Sequence, residues 1–228
     1  ITAKSKVLII QHTLGNPADI KPLMEVARKH HLSVVEDCAH ALGAMYDGKA
    51  VGSFGDASFF SFGRDKVISS VFGGALAVKD PQLAAKVEEK CAEYSMPTRR
   101  WILQQLVHPL LMGLVKITYD LYLGKILLRL FQRLHVVSKA VYPEERLGKK
   151  PAFIGHKLPN GLAMLVLHQL RKLGKLNSHR TAAARYYDEL LRDEKVGRVQ
   201  THNNSEPVFL RYTIRLPRAN EFLKAARR

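Results

Sequence analysis

The chain has 228 residues, 46% of them hydrophobic, which suffices for one sizeable core and excludes a disordered composition. Its formal charge of +16 favours anionic surroundings, but no zinc-finger spacing or RNP-like aromatic strand accompanies it, so the charge does not point to nucleic acid as a partner. The two cysteines, Cys38 and Cys91, lie far apart without metal-like spacing, which argues against a disulfide framework and a metal site and predicts reduced thiols in a cytoplasmic protein.

Along the chain, the apolar run Val7-Leu8-Ile9-Ile10 is too short and wrongly flanked for a secretory signal and predicts a buried strand from Val7 to Gln11. Asn16-Pro17-Ala18-Asp19 is a turn and helix-start signal, and Ile20, Leu23, Met24 and Ala27 follow at helical spacing. Further strands are predicted over Ser33 to Glu36, Ala57 to Phe60 and Gly74 to Val78, an alternation that builds β-α-β units around a largely parallel sheet.

Residues 101–142 differ in kind: leucines and aromatics at helical spacing sit among Arg100, Lys116, Lys125, Arg129, Arg133 and Lys139, a basic amphipathic helical pattern. The uncharged span from Trp101 to Val115 holds Gln104, Gln105, His108 and Pro109 and falls short of the ~20 apolar residues that a bilayer crossing needs. Helices are predicted from about Pro159 to Leu176 and from about Ser178 to Arg192, and alternation over Val208 to Leu216 predicts a strand of a smaller domain. The opening at Ile1 and the helical pattern of the last residues suggest that both ends are cut from a longer protein. The expected organisation is 1–95 as part of a large α/β domain, 96–150 as a helical insert, and 151–228 as connecting helices with part of a small domain.

The chemistry concentrates in three segments: Val35-Glu36-Asp37-Cys38-Ala39-His40-Ala41, then Gly52-Ser53-Phe54-Gly55-Asp56-Ala57 running on through Phe60-Ser61-Phe62-Gly63-Arg64-Asp65-Lys66, then Phe72-Gly73-Gly74. In an open α/β sheet, ligands bind outside the carboxyl ends of the strands, where such segments can converge. A pyridoxal cofactor asks for a lysine amine, an acid that keeps the ring nitrogen protonated, and small donors around its phosphate, and Lys66, Asp37 and Ser61 are of those types. Singly each has a plainer reading: an Asp after a strand caps a helix, a loop lysine is solvated, a serine ends a strand. Glu36 and Asp56 read as structural.

Taken in order, Glu-Asp-Cys-Ala-His, Gly-Ser-Phe-Gly-Asp-Ala, Phe-Ser-Phe-x-x-x-Lys and Gly-Gly closely resemble the DegT/DnrJ/EryC1/StrS aminotransferases. The resemblance extends upstream to Gln11-His12-Thr13-Leu14-Gly15-Asn16-Pro17-Ala18-Asp19 and downstream to Gln169-Leu170, His179-Arg180 and Tyr186-Tyr187. It implies an α/β fold, the fold type I architecture of pyridoxal-phosphate-dependent transferases, here with an incomplete large domain, a helical insert and the start of a small domain. It implies Lys66 as the Schiff-base lysine and proton carrier, Asp37 as the partner of the pyridine nitrogen, His40 against the ring near its phenolic oxygen, and Ser61 on the phosphate. Where members carry Asn-Tyr-Arg, this chain has Gly155-His156-Lys157.

The implied reaction moves an amino group from an amino-acid donor, glutamate, to a keto-sugar carried on a nucleotide, in a homodimer, for amino-sugar or cell-surface polysaccharide synthesis. The chain alone, supplying one wall of the site, is expected to be inactive. The alternative is an inactive fragment or pseudoenzyme that keeps the fold. For residues 101–142 two readings stand: a helical hairpin packed against protein, or a basic amphipathic face on an anionic membrane, peripheral at its inner side.

Overall fold

The structure is a computed structural model that describes residues 1–138, 142–151, 154–192 and 196–226. In chain order it contains β1 (Val7–Gln11), α1 (Ile20–Lys29), β2 (Ser33–Asp37), the short strands β3 (Met45–Tyr46) and β4 (Lys49–Ala50), β5 (Ala57–Ser61), β6 (Gly74–Val78) and α2 (Pro81–Ala92). There follow α3 (Arg99–Ile117), α4 (Leu123–Arg133), α5 (Pro143–Arg146), α6 (Asn160–Leu170), α7 (Leu173–Leu190), three two-residue strands β7 (Gly197–Arg198), β8 (Ser205–Glu206) and β9 (Ile214–Arg215), and α8 (Ala219–Ala226). Two compact units emerge, Ile1–Phe60 with Lys172–Arg228, and Ser61–Arg171.

In the first unit β1 pairs in parallel with β2, Val7 opposite Ser33, and β2 with β5, Val35 opposite Ala57. Helix α1 covers one side: Ile10, Ala27 and Val34 form a buried cluster with Leu8, Leu23 and Met24 packed against it. Because strand side chains alternate, Val7 and Ile9 point the other way and are exposed, Ile9 by 63%. Asp19 precedes α1 without capping it by its side chain; its Oδ1 accepts a 2.5 Å hydrogen bond from the Tyr46 hydroxyl.

Two sequence expectations are corrected. The run from Val208 to Leu216 is a strand only at Ile214–Arg215. Upstream, the Val208 N–H donates to the Gly15 carbonyl and Phe209 turns to φ +46, which bends the segment against the turn at Leu14 and Gly15. That approach requires glycine: a Cβ on Gly15, itself at φ +88, would stand 2.6 Å from the Leu210 nitrogen. The helix break also falls earlier than expected, at residues 171–172, so α7 begins at Leu173 and Lys175 and Leu176 lie within it.

The second unit is dominated by helices. Helices α3 and α4 form a tight hairpin through the turn at residues 118–122, and Gly124 is the contact point: a Cβ there would meet the Val115 carbonyl oxygen at 2.3 Å. Helix α3 buries Gln105, His108 and Val115 along one stripe, while Leu103, Leu110, Leu114 and Ile117 form an exposed one. On α4, Leu123, Ile126 and Leu130 are exposed in the same way, continued by Leu134 just beyond the helix. No helix among the described residues is long and apolar enough to cross a membrane.

Candidate functional site

Asp37 ends β2, opposite Gln11 on β1 and Phe59 on β5. Its carboxylate is fixed by two donors: Gln11 Nε2 donates to Oδ2 at 3.0 Å, and the Ala39 N–H donates to Oδ1 at 3.0 Å. A carboxylate accepts about four hydrogen bonds, so these two orient the group without exhausting it. His40 lies one turn further, and its Nδ1 accepts the Leu14 N–H at 3.3 Å, an arrangement that leaves the ring proton on Nε2. The first unit thus gathers Gln11, Leu14, Asp37 and His40.

Glu36 points to the opposite side of β2 and is fully buried. It accepts the N–H groups of Gly52, Phe54 and Gly55, each at 2.7 Å, and His12 Nε2 at 3.1 Å. Burial pushes its carboxyl pKa up, but the hydrogen bonds from His12, Gly55, Gly52 and Phe54 together outweigh that and hold it below the usual value. This accounts for the Gly-Ser-Phe-Gly-Asp segment. A Cβ on Gly55 would stand 2.8 Å from the Val34 carbonyl, Gly52 sits at φ +91, and Asp56 Oδ2 accepts the Val34 N–H at 2.7 Å. The segment clamps β5 beside β2. The sequence reads Glu36 and Asp56 as structural, and the N–H partners that make them so come from the fold. Cys38, next to both acids, is buried, and burial with the charges of Glu36 and Asp37 raises its thiol to about 12.

In the second unit the chain leaves β5 at Ser61 and turns sharply. Gly63 N–H donates to Ser61 Oγ at 3.4 Å and Lys66 N–H to the Gly63 carbonyl at 3.3 Å. The Lys66 side chain is 18% exposed, with Nζ 3.9 Å from Asp65 Oδ1. The loop closes on Phe62, whose N–H donates to the Gly73 carbonyl at 2.8 Å and whose carbonyl accepts the Ser70 N–H at 3.0 Å. Of the two glycines that follow, Gly73 carries the unusual backbone, at φ +137, while Gly74 begins β6.

Ser61 lines a cavity of about 510 Å³ whose wall includes Gly73, Gly74, Trp101, His156 and Lys157. In the sequence, Gly155-His156-Lys157 stands only as a departure from the Asn-Tyr-Arg of the family. The fold brings it to Ser61 because Ser95 and His156 form a β-bridge, with Ser95 Oγ 3.0 Å from His156 Nδ1. A hydroxyl beside a lysine and a histidine suits a phosphate group, and an oriented carboxylate and a largely buried lysine suit a pyridine aldehyde. Taken within each unit, these groups are of the kinds that pyridoxal phosphate asks for. Asp37 and His40 belong to the first unit, Ser61 and Lys66 to the second.

The sequence profile of the DegT/DnrJ/EryC1/StrS aminotransferase family matches residues 1–115 and 117–227. Among characterised proteins, the chain is 42% identical over 101 residues to GDP-perosamine synthase of Caulobacter vibrioides, covering 44% of this chain and 27% of that protein. It is 41% identical over 88 residues to dTDP-3-amino-3,6-dideoxy-alpha-D-galactopyranose transaminase of Aneurinibacillus thermoaerophilus, covering 38% and 24% of the two chains. Among solved structures, S. venezuelae DesV in complex with a ketimine intermediate superposes with a TM-score of 0.68 at 23% identity, over 99% of this chain and 49% of that one. Helicobacter pylori PseC, an aminotransferase involved in pseudoaminic acid biosynthesis, gives 0.66 at 22%, over 99% and 49%. The chain spans about half the length of these solved relatives. Its fold is the α/β architecture of fold type I pyridoxal-phosphate-dependent transferases.

Proposed function

This chain belongs to the DegT/DnrJ/EryC1/StrS aminotransferase family, and from that premise we propose that the protein transfers an amino group from glutamate to the keto carbon of a nucleotide-linked sugar, with pyridoxal phosphate as cofactor. The names of the relatives, which act on GDP- and dTDP-linked sugars, support the substrate class. So does a cavity of about 370 Å³ in the first unit, lined by Gln11 and Leu14 together with Arg198 and Arg211, whose guanidinium groups suit a diphosphate.

The observation that carries the reading is the fixed carboxylate of Asp37 at the carboxyl end of a parallel strand. Bound pyridoxal phosphate supplies an electron-accepting ring that lowers the barrier to removing a proton from the carbon bearing the amine. Asp37 would keep the ring nitrogen protonated, with Gln11 and the Ala39 N–H holding its carboxylate in place. Lys66 would hold the cofactor through Nζ, and its amine, on a side chain 18% exposed beside Asp65, would serve as the group that accepts and returns a proton. Ser61 would offer its hydroxyl to the phosphate, and His40, whose Nδ1 accepts the Leu14 N–H, would have its Nε2–H left to donate. Borohydride reduction of the complete protein with its cofactor, followed by peptide mapping, is expected to label Lys66; a label elsewhere with binding retained in Lys66→Ala overturns the assignment. The competing reading, a fold kept without catalysis, predicts no label at all.

The proposal includes a cytoplasmic homodimer whose α3–α4 hairpin rests on an anionic membrane surface. Residues 99–138 carry six lysines and arginines against one acid, Asp120. Exposed apolar stripes run along both helices, and the turn between them shows Tyr119, Leu121 and Tyr122, with Lys125 Nζ 4.5 Å from the Tyr122 ring. Aromatic rings and lysines beside an apolar stripe suit the interface between headgroups and acyl chains.

A further inference from the structure

The side chain of Arg64 ties the lysine loop to the residues that α3 holds. It sits inside the turn that Gly63 and Lys66 close, two residues before the lysine. Arg64 Nη1 donates to the Ser138 carbonyl at 2.9 Å and Nη2 to Ser138 Oγ, while the guanidinium carbon lies 5.0 Å from the centre of the Phe72 ring. Each of these two anchors is held in turn by α3. Ser138 Oγ donates to Gln105 Oε1 at 2.5 Å, and Phe72 packs on Trp101 with ring centres 5.4 Å apart. Residues 101 and 105 are one helical turn apart and share a face, so a single turn of α3 grips both contacts of Arg64. The grip is rigid: Gln105 is fully buried and its Nε2 donates to the Trp101 carbonyl at 3.2 Å, while Gln104 Nε2 donates to the His135 carbonyl at 2.6 Å and ties α3 to the end of α4.

The chemistry around Arg64 is unusual for a partly buried cation. Among the described residues its hydrogen-bond partners are neutral, and His108, one turn beyond Gln105, is kept neutral as well, its pKa lowered to about 4 by burial and by the Arg64 charge. Desolvating a guanidinium without a carboxylate beside it is unfavourable, so the contacts spend stability on geometry. What an arginine adds is a forked set of directional bonds that fixes the loop in one conformation.

We propose that Arg64 is a positioning residue: gripped by Ser138, Gln105, Phe72 and Trp101, it sets the conformation of the loop that presents Lys66. The inference rests on Lys66 being the cofactor lysine. It assigns the helical segment 99–138 a task in the reaction besides any surface role, since displacement of a reacting amine by about 1 Å costs on the order of 10²-fold in rate.

The test uses the complete holoenzyme and the variants Arg64→Gln, Arg64→Lys and Gln105→Leu, with exposed Arg129→Gln as the control. Arg64→Gln is expected to lower kcat by about tenfold or more with KM changed by less than threefold, and to move the pH midpoint of the bound cofactor's absorbance, which follows the placement of the Lys66 amine. Gln105→Leu, which does not touch the loop, is expected to reproduce both effects, and the double variant to show no further loss, because the two act as one unit. Arg64→Lys, keeping charge without the fork, recovers less than half of the lost kcat, and Arg129→Gln behaves as wild type. An unchanged kcat and absorbance midpoint in Arg64→Gln or, where that variant does not fold, in Gln105→Leu, with Lys66 labelled by borohydride in the wild type, overturns the proposal. A wild type in which Lys66 takes no label overturns instead the cofactor reading on which it rests.

Discussion

His12 Nε2 donates to Glu36 Oε2 across 3.1 Å, and both side chains are fully enclosed. His12 Nδ1 meanwhile accepts the Ala18 N–H at 3.2 Å, so the pair joins the loop before α1 to the Gly52–Gly55 loop through the middle of the first unit. Glu36→Gln replaces one accepting oxygen by an NH2 that faces N–H donors, and is expected to destabilise the fold by about 3 kcal/mol. Urea titration at neutral pH checks it.

The same carboxyl makes stability depend on pH. Its folded pKa lies below the ordinary value, so in the acid range the unfolded chain binds more protons than the folded one and stability rises with pH there. The contribution is full above the unfolded glutamate pKa of about 4.3 and is lost as pH falls through the lower folded value. Thermal melts from pH 6 downward are expected to show a drop below about pH 4.3 in the wild type and a shallower one in Glu36→Gln.

Asp37→Asn keeps an oxygen for the Ala39 N–H but cannot hold a proton on a ring nitrogen. Cofactor is expected to bind within a few-fold of wild type while the single-turnover rate with glutamate falls by about 10²-fold or more. A near-normal rate refutes the ring-nitrogen role.

Two glycines of the hairpin give opposite expectations. Gly124→Ala drives a Cβ toward the Val115 carbonyl and is expected to destabilise by about 2 kcal/mol. A Cβ on Gly113, exposed on α3, meets nothing within 4 Å, so Gly113→Ala is expected to stabilise by up to about 1 kcal/mol through helix propensity. Paired melting curves followed by circular dichroism separate them.

Liposome sedimentation tests the hairpin surface. The complete protein is expected to sediment with vesicles containing phosphatidylserine, to be released as salt is raised, and to lose binding in a Leu121→Ser, Ile126→Ser double variant. Equal recovery with neutral vesicles, or concentration-dependent self-association that the double variant abolishes, assigns the face to something other than an anionic membrane.

Much of this protein is legible in its sequence. The predicted strands β1 and β6 agree with the structure at both ends, β2 and β5 run one residue further, and the apolar spacing of Ile20, Leu23, Met24 and Ala27 marks the buried face of α1. These elements are set by periodicities of two and 3.6 residues, which depend on neighbours in the chain. The ordered motifs that carry the family resemblance are equally local. Tertiary structure decided what depends on distant partners. Alternation over Val208 to Leu216 reads as a strand until Gly15 offers a closer contact at φ +88 and the chain bends to take it. Glu36 reads as structural, but which groups it holds is decided only where three N–H groups of a later loop converge on it. Arg64 has no reading in the sequence, and its role appears only where Ser138, 74 residues away, accepts its hydrogen bonds. A pattern along the chain records which side of an element is apolar, whereas the partner of a buried polar group is chosen by whatever the fold brings within 3 Å, and no local period encodes that.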